Sequence, residues 1–113
     1  MKIKTGCDIV HIKKFEKSKK NSGQDFLDKI FQVEELTVSN SAQHLAGVFA
    51  AKEAVIKALG LEAGNWKQIG IRYSKTGHPI LKYEGEAEIL SHDISISHDG
   101  DYAIASAVFL LND

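Results

Sequence analysis

The sequence of 113 residues contains only one cysteine and one proline. Because the lone Cys7 cannot form an internal disulfide, a disulfide-stabilised secreted domain is not expected, and a reducing, cytoplasmic location is favoured. No apolar run approaches the roughly 20 residues that a membrane-spanning helix needs, so we expect no membrane association. The first fourteen residues also lack the continuous apolar stretch of a signal peptide.

Several motifs of known ligand sites are missing as well. Neither GxGxxG nor GxxxxGK[ST] occurs, so the common phosphate-binding loops are excluded. The five histidines, at positions 11, 44, 78, 92 and 98, do not combine with cysteine at the spacing of a zinc site. Ser97 and His98 are adjacent in an expected strand, where neighbouring side chains point to opposite faces, so a direct Ser–His nucleophile pair is not expected.

The composition, 43% hydrophobic and 26% charged, is typical of a globular chain, and we expect residues 1–113 to form a single domain. The net charge of −1 conceals an asymmetry, because residues 1–20 carry a balance of +5 and the remainder a balance of −6. Such a basic end indicates either an acidic partner or polyphosphate, or simply a solvated lysine-rich helix. Nothing here indicates a nucleic acid partner.

Hydrophobic spacing predicts an α+β fold, with a mostly antiparallel sheet packed against one long helix and short helices. The predicted strands cover residues 2–9, 69–73, 80–83, the region of Ile94 and Ile96, and 102–111. Two short helices are predicted around residues 12–20 and 25–31, separated by Asn21-Ser22-Gly23, and a third at 85–91. The long helix should run from 42 to 59, between a capping serine and Gly60. Asp99-Gly100 indicates a hairpin.

Lys52 lies within the apolar face of the predicted long helix, three residues after Phe49 and four before Ile56. It could extend its stem over the core and reach solvent, or it could mark an anion beside the helix. Glu53 and Lys57 could form an ordinary i,i+4 ion pair, or they could face a ligand.

Two further segments carry polar groups at strand ends. Asp8 follows Gly6 in GCDIV, and it could cap the strand or bind a metal; together with Glu53 it would suit Mg²⁺. The serines and the imidazole of SISH, residues 95–98, could bind phosphate or simply end a hairpin.

The stretches GCDIV, FAAKEAVIKALG, TGHP and SISHDGDYAIA, in this order, resemble the holo-acyl-carrier-protein synthases, the short class of 4′-phosphopantetheinyl transferases. The resemblance runs from about residue 3 to residue 109. It implies transfer of 4′-phosphopantetheine from coenzyme A to a serine of an acyl carrier protein, with release of 3′,5′-ADP, in fatty acid or specialised synthesis. It also implies the fold of that family and a homotrimer whose subunits share active sites.

The resemblance also implies roles for individual residues. Asp8 and Glu53 would bind Mg²⁺, and Lys57 would contact the pyrophosphate of coenzyme A. The general base stays open between Glu53 and a metal-bound water. The remaining contacts divide into a coenzyme set and a carrier-docking set: Lys52, Gly77, Pro79, Ser97 and His98 for coenzyme A, and Lys13, Lys14 and Lys17 for the acidic carrier.

Three positions depart from the family pattern. Lys14 stands where arginine is usual, Val48 replaces a frequent arginine, and His11 replaces a frequent glutamate. These departures motivate a second hypothesis, a non-catalytic homologue that binds carrier protein or nucleotide. A third, an unrelated Mg²⁺-dependent phosphohydrolase, would need more clustered carboxylates than the sequence offers.

Overall fold

The computed structural model describes every residue, Met1–Asp113, and contains two antiparallel sheets and three α-helices. The order along the chain is β1 (Lys2–His11), α1 (Ile12–Ile30), α2 (Val33–Val38), α3 (Ala42–Leu59), a 3₁₀ helix (Trp66–Gln68), β2 (Ile69–Tyr73), β3 (Pro79–Tyr83), β4 (Ile89–Asp99) and β5 (Tyr102–Leu111). The strands form a three-stranded sheet, β1-β5-β4, and a separate hairpin, β2-β3. The predicted α+β class is confirmed. None of the helices is long and apolar enough to cross a membrane.

The helices before α3 follow the predicted pattern only in part. The predicted break near residue 23 is confirmed as a kink within α1, where Gly23 has a φ of +58° that favours glycine. The short helix α2 was not predicted, although its capping signal is present in the sequence. Glu35 accepts a hydrogen bond from the backbone nitrogen of Gln32 at 2.7 Å, which completes a capping box at the start of α2.

The helix predicted at residues 85–91 is wrong, because β4 begins at Ile89. Ile89 faces Leu111 across the β4–β5 ladder, and the backbone nitrogen of Asn112 donates to the carbonyl of Glu88 at 3.0 Å. Pairing with β5 therefore outweighs the local helical preference of this segment. A register shift between Ile89 and Ser91 interrupts the alternation by which a strand would be recognised.

The helix α3 lies in the centre of the core, as its length and pattern predict. Ser41 caps its first turn by accepting from the backbone nitrogen of His44 at 3.2 Å, and Gly60 ends it with a φ of +66°. Four residues of its apolar face are buried: Leu45, Val48, Val55 and Ile56. Four alanines of the helix are buried as well: Ala46, Ala50, Ala51 and Ala54. The buried apolar residues form one cluster of 21.

The three-stranded sheet packs only one face on α3. Its alternating residues Ala103, Ala105 and Ala107 are buried beneath the helix, so their small side chains allow a close approach. The opposite face is exposed and partly apolar. Four aliphatic residues on it have large exposed fractions: Ile3 70%, Ile9 61%, Ile104 42% and Val108 42%.

The tightest contact between β1 and α3 is at Gly6. A Cβ atom added there would lie 1.9 Å from the carbonyl oxygen of Ala54 and 2.9 Å from the backbone nitrogen of Ala58. Because backbone atoms cannot move aside as a flexible side chain can, only glycine allows this separation. Gly6 therefore sets how near Asp8, two residues along the same face of β1, comes to α3.

We predict that Gly6→Ala lowers the free energy of unfolding by at least about 2 kcal/mol, because the added methyl group must force β1 away from α3. Urea unfolding measures the change. Cys7→Ala is the control, since Cys7 is exposed, and it should change stability by less than about 0.5 kcal/mol. A similarly small effect of Gly6→Ala would contradict the tight packing.

Candidate functional site

A cleft of about 390 Å³ lies between β1, α1 and α3, and it holds both carboxylates singled out in the sequence. Asp8 comes from β1 and Glu53 from α3, and Lys14 of α1 also lines the cleft. An aromatic wall made by Phe15, Phe26 and Phe49 adjoins these polar groups. The ring centroids of Phe15 and Phe26 are 5.4 Å apart, and those of Phe15 and Phe49 are 5.8 Å apart.

Lys57 interacts with the negative charges of both Asp8 and Glu53. Its Nζ donates to Asp8 Oδ1 at 3.0 Å and to the Cys7 carbonyl at 3.0 Å. The hydrogen bond to Asp8, helped by the charges of Asp8 and Glu53, raises the pKa of Lys57 above its usual value. The nearest carboxylate partner of Lys57 is therefore Asp8 on the neighbouring strand, and not Glu53 one turn earlier in its own helix.

The two carboxylates of the cleft, those of Asp8 and Glu53, suit a hard divalent cation whose remaining ligands are other oxygen atoms. The side chain of Asp8 is 17% exposed, so its carboxylate can be reached without being freely solvated. No three acidic, histidine or cysteine side chains of the chain lie close enough together to hold a metal ion between them. A cation bound by Asp8 and Glu53 would thus take its remaining ligands from water or from substrate, as Mg²⁺ commonly does.

The predicted contact between Lys52 and coenzyme A does not fit the structure. The Lys52 side chain is fully buried, and its Nζ lies 2.6 Å from Glu35 Oε1. It also donates to three backbone carbonyls, those of Ile69 at 2.8 Å, Ile30 at 2.9 Å and Trp66 at 3.2 Å. Because these four acceptors share the three N–H donors of the ammonium, no donor is left for a ligand. Of the two sequence alternatives, a stem that reaches solvent is wrong, whereas the anion expected beside the helix, a carboxylate or a phosphate, is present as the carboxylate of Glu35.

Glu35 is the partner that the sequence reasoning missed. Its side chain is fully buried, and besides Lys52 it accepts from the backbone nitrogens of Gln32 and Ile71, each at 2.7 Å. Burial lowers the pKa of Lys52 from its usual value, while the charge of Glu35 opposes that shift. The Gln32-x-x-Glu35 spacing could have indicated the helix start, but not the pairing with a lysine on another helix.

The TGHP turn lies between β2 and β3, outside the acidic cleft. Gly77 has a φ of +86°, and the hydroxyl of Ser74 accepts from the backbone nitrogen of His78 at 3.1 Å. The imidazole of His78 lies 2.6 Å from Asp93 on β4, and this contact lowers the pKa of Asp93. Pro79, the first residue of β3, therefore directly follows a turn that is fixed by the hydrogen bond to Ser74 and by the contact of His78 with Asp93.

Ser97 and His98 lie near the end of β4 and also outside the cleft. The Nε2 of His98 is 3.0 Å from the carbonyl of Gln43, so this nitrogen carries the proton and Nδ1 is available to a ligand. The ring packs over Gly47, where an added Cβ would lie 2.8 Å from Nε2. The structure thus brings together Asp8, Glu53 and Lys57, but not the residues expected at the nucleotide end of coenzyme A.

The three lysines expected to dock a carrier lie at the start of α1, and all are exposed. Lys13 is 3.7 Å from Asp101, a loose surface pair, and Lys14 borders the cleft. His11 caps the helix, because its Nδ1 accepts from the backbone nitrogen of Lys14 at 3.4 Å.

At Val48, where arginine is frequent in the resembled family, the side chain is only 1% exposed. This departure therefore places an apolar side chain in the core of the fold.

The chain matches the model of the 4′-phosphopantetheinyl transferase superfamily over residues 4–107. It is 37% identical over 110 residues to the holo-[acyl-carrier-protein] synthase of Campylobacter jejuni subsp. jejuni, covering 91% of this chain and 96% of that protein. It is 40% identical over 108 residues to the synthase of Thermodesulfovibrio yellowstonii, covering 91% and 94%.

Solved structures give the same result for the fold. The Helicobacter pylori holo-[acyl-carrier-protein] synthase in complex with coenzyme A superimposes with a TM-score of 0.84 at 32% identity, covering 94% of this chain and 99% of that one. A complex of ACPS with CoA, ascribed to Chronobacterium ammoniagenes, gives a TM-score of 0.83 at 28% identity and covers both chains completely. The resemblance read from the sequence motifs is confirmed.

Proposed function

The chain belongs to the holo-[acyl-carrier-protein] synthases of the 4′-phosphopantetheinyl transferase superfamily, and from this membership we propose that it loads an acyl carrier protein with 4′-phosphopantetheine taken from coenzyme A. The observation that carries the proposal is that Asp8 and Glu53 line one cleft while Lys57 is hydrogen-bonded to Asp8. The coenzyme A complexes of the structural relatives support coenzyme A as the donor. Residues 1–113 would act as one transferase domain, in the cytoplasm.

In the proposed reaction the hydroxyl oxygen of a carrier serine attacks the β-phosphorus of coenzyme A. A new phosphodiester bond forms to the serine, the bond to the leaving phosphate breaks, and 3′,5′-ADP departs. The serine proton passes to the general base, for which Glu53 and a water molecule are the candidates. Such a transfer depends mainly on positioning and on neutralising negative charge. Lys57, whose Nζ is 3.0 Å from Asp8 Oδ1, supplies a cation that can turn to the pyrophosphate.

Asp8 and Glu53 would hold Mg²⁺, and this assignment is supported by the presence of both carboxylates in one cleft and by its volume of about 390 Å³, which leaves room for substrate oxygens. The chemistry that Mg²⁺ supplies when bound is neutralisation of charge on the pyrophosphate oxygens. Asp8 and Glu53 themselves orient the donor phosphate by fixing where that charge is neutralised.

The nucleotide end of coenzyme A would lie against Gly77, Pro79, Ser97 and His98. Because these residues do not line the cleft of Asp8 and Glu53, we propose that a neighbouring subunit brings the two halves together in a homotrimer. The exposed aliphatic face of the three-stranded sheet supports such an assembly, since large apolar patches of this kind are typical of interfaces.

The decisive experiment mixes the chain with an apo-acyl carrier protein, coenzyme A and Mg²⁺, and weighs the carrier by mass spectrometry. We expect the carrier to gain one phosphopantetheine group. Asp8→Asn and Glu53→Gln should abolish the gain, because each removes a charged metal ligand at nearly constant side-chain volume. Glu62→Gln, an exposed carboxylate outside the cleft, is the control and should transfer normally. If coenzyme A binds but no carrier is loaded, the chain is instead a non-catalytic homologue.

We further propose that Lys13, Lys14 and Lys17 dock the acidic carrier. Reversing each of them to glutamate should raise the KM for carrier while the KM for coenzyme A stays unchanged, because like charges repel across the docking surface. Steady-state kinetics with each substrate varied in turn measures both constants. Lys2→Glu, a charge reversal at the start of β1, is the control. An unchanged carrier KM in all three reversals would refute this docking site.

A further inference from the structure

The helix α3 contains a single glycine, Gly47, and this residue is buried in the interior of the helix. A glycine within a helix destabilises it relative to alanine, because its backbone loses more conformational freedom on folding. Other small residues of the same helix, Ala46, Ala50 and Ala51, are alanine and are equally buried. The absence of a Cβ atom at position 47 therefore calls for a local reason.

The imidazole of His98 on β4 supplies that reason. A Cβ atom added to Gly47 would lie 2.8 Å from Nε2 and 3.1 Å from Cε1 of His98, and 3.0 Å from a methyl carbon of Ile96. Two of these three nearest atoms belong to the imidazole ring. The ring thus fills the space beside the helix backbone that an alanine side chain would need.

The same ring is hydrogen-bonded to α3. Its Nε2 donates to the carbonyl of Gln43 at 3.0 Å, one turn before Gly47 in the helix. Because a carbonyl oxygen only accepts, Nε2 carries a proton and the second nitrogen, Nδ1, is not used by this bond. His98 as a whole is exposed, so the imidazole is accessible from solvent although one nitrogen is bound to the helix.

The strand alone does not determine this orientation of the ring. His98 pairs with Ala103 one residue before the end of β4, next to the hairpin turn. An exposed side chain at such a position can occupy several staggered rotamers. The space at Gly47 and the acceptor at Gln43 together select one of them.

We propose that Gly47 is a positioning residue, which leaves room for the His98 ring, keeps its Nε2 on the Gln43 carbonyl and so presents Nδ1 to the nucleotide end of coenzyme A. The inference rests on the proposed function, which places His98 against that end of the coenzyme. Gly47, Gln43 and His98 belong to one subunit. The positioning role is therefore independent of which subunit supplies the acidic cleft.

Gly47→Ala tests this role directly. The closest atoms that its methyl group meets are the far end of a side chain that can rotate away, so the helix backbone should stay in place. Alanine also favours the helix, so urea unfolding should show no loss of stability. The matched control is the same substitution in a His98→Ala background, where no imidazole occupies the space.

His98→Asn is a second, independent variant. Its amide group reaches the position of Nδ1, but the side chain is too short to reach the carbonyl of Gln43. It therefore keeps a polar group for the ligand and removes the bond that orients this group.

Calorimetric titration with coenzyme A and transfer kinetics measure the outcome. We expect Gly47→Ala and His98→Asn to raise the Kd and the KM for coenzyme A about tenfold, the effect of losing one hydrogen bond to a charged group. The KM for carrier should stay at the wild-type value. In the His98→Ala background, Gly47→Ala should cause no further change. The nuclear Overhauser effect between Hε1 of His98 and the α protons of residue 47 should be present in the wild type and absent in Gly47→Ala.

A folded Gly47→Ala variant that binds coenzyme A with the wild-type Kd would overturn the proposal. An equal loss of affinity in the His98→Ala background would overturn it too, since the effect would not act through the imidazole. If Gly47→Ala does not fold, His98→Asn decides, because wild-type affinity in that variant would show that no fixed ring is needed. Wild-type chain that binds coenzyme A but loads no carrier refutes only the transfer, while the Kd values still decide the role of Gly47.

Discussion

The close approach of β1 to α3 at Gly6 is the constraint on which the rest of the site depends. With the carbonyl of Ala54 where a side chain at Gly6 would have to be, the strand runs almost in backbone contact with the helix. Asp8, on the same face of β1, then reaches the ammonium of Lys57, and Glu53 lies one turn earlier in the same helix. The acidic cleft is thus a consequence of backbone packing that only glycine permits.

The second constraint is the buried ammonium of Lys52, the residue that directly precedes Glu53 in α3. Lys52 donates to buried carbonyls of α1 and β2, and its charge is balanced by Glu35. The fold therefore places charged residues next to each other in α3 for different purposes. Lys52 connects secondary-structure elements, while Glu53 lines the cleft and Lys57 is hydrogen-bonded to Asp8 beside it.

Local patterns predicted most of the elements and the acidic pair, because alternation, helical spacing and capping are encoded by neighbouring residues. The strand at Ile89 escaped prediction because its pairing partner lies in the last strand of the chain. The carboxylate partner of Lys52 was not predicted for the same reason. Glu35 belongs to another helix, and no sequence spacing links the two residues. The placement of Gly77 and His98 relative to Asp8 depends on how separate sheets, and proposed neighbouring subunits, are arranged.

We propose that Asp8 and Glu53 bind a divalent cation together with coenzyme A. Mn²⁺ suits the same oxygen ligands as Mg²⁺ and broadens nearby nuclear resonances, so its position can be mapped by amide relaxation in the presence of coenzyme A. We expect the amide resonances of residues 7–9 of β1 and 52–57 of α3 to broaden most. This broadening should disappear in Asp8→Asn. Broadening centred elsewhere, or none at all while coenzyme A is bound, would contradict this proposal.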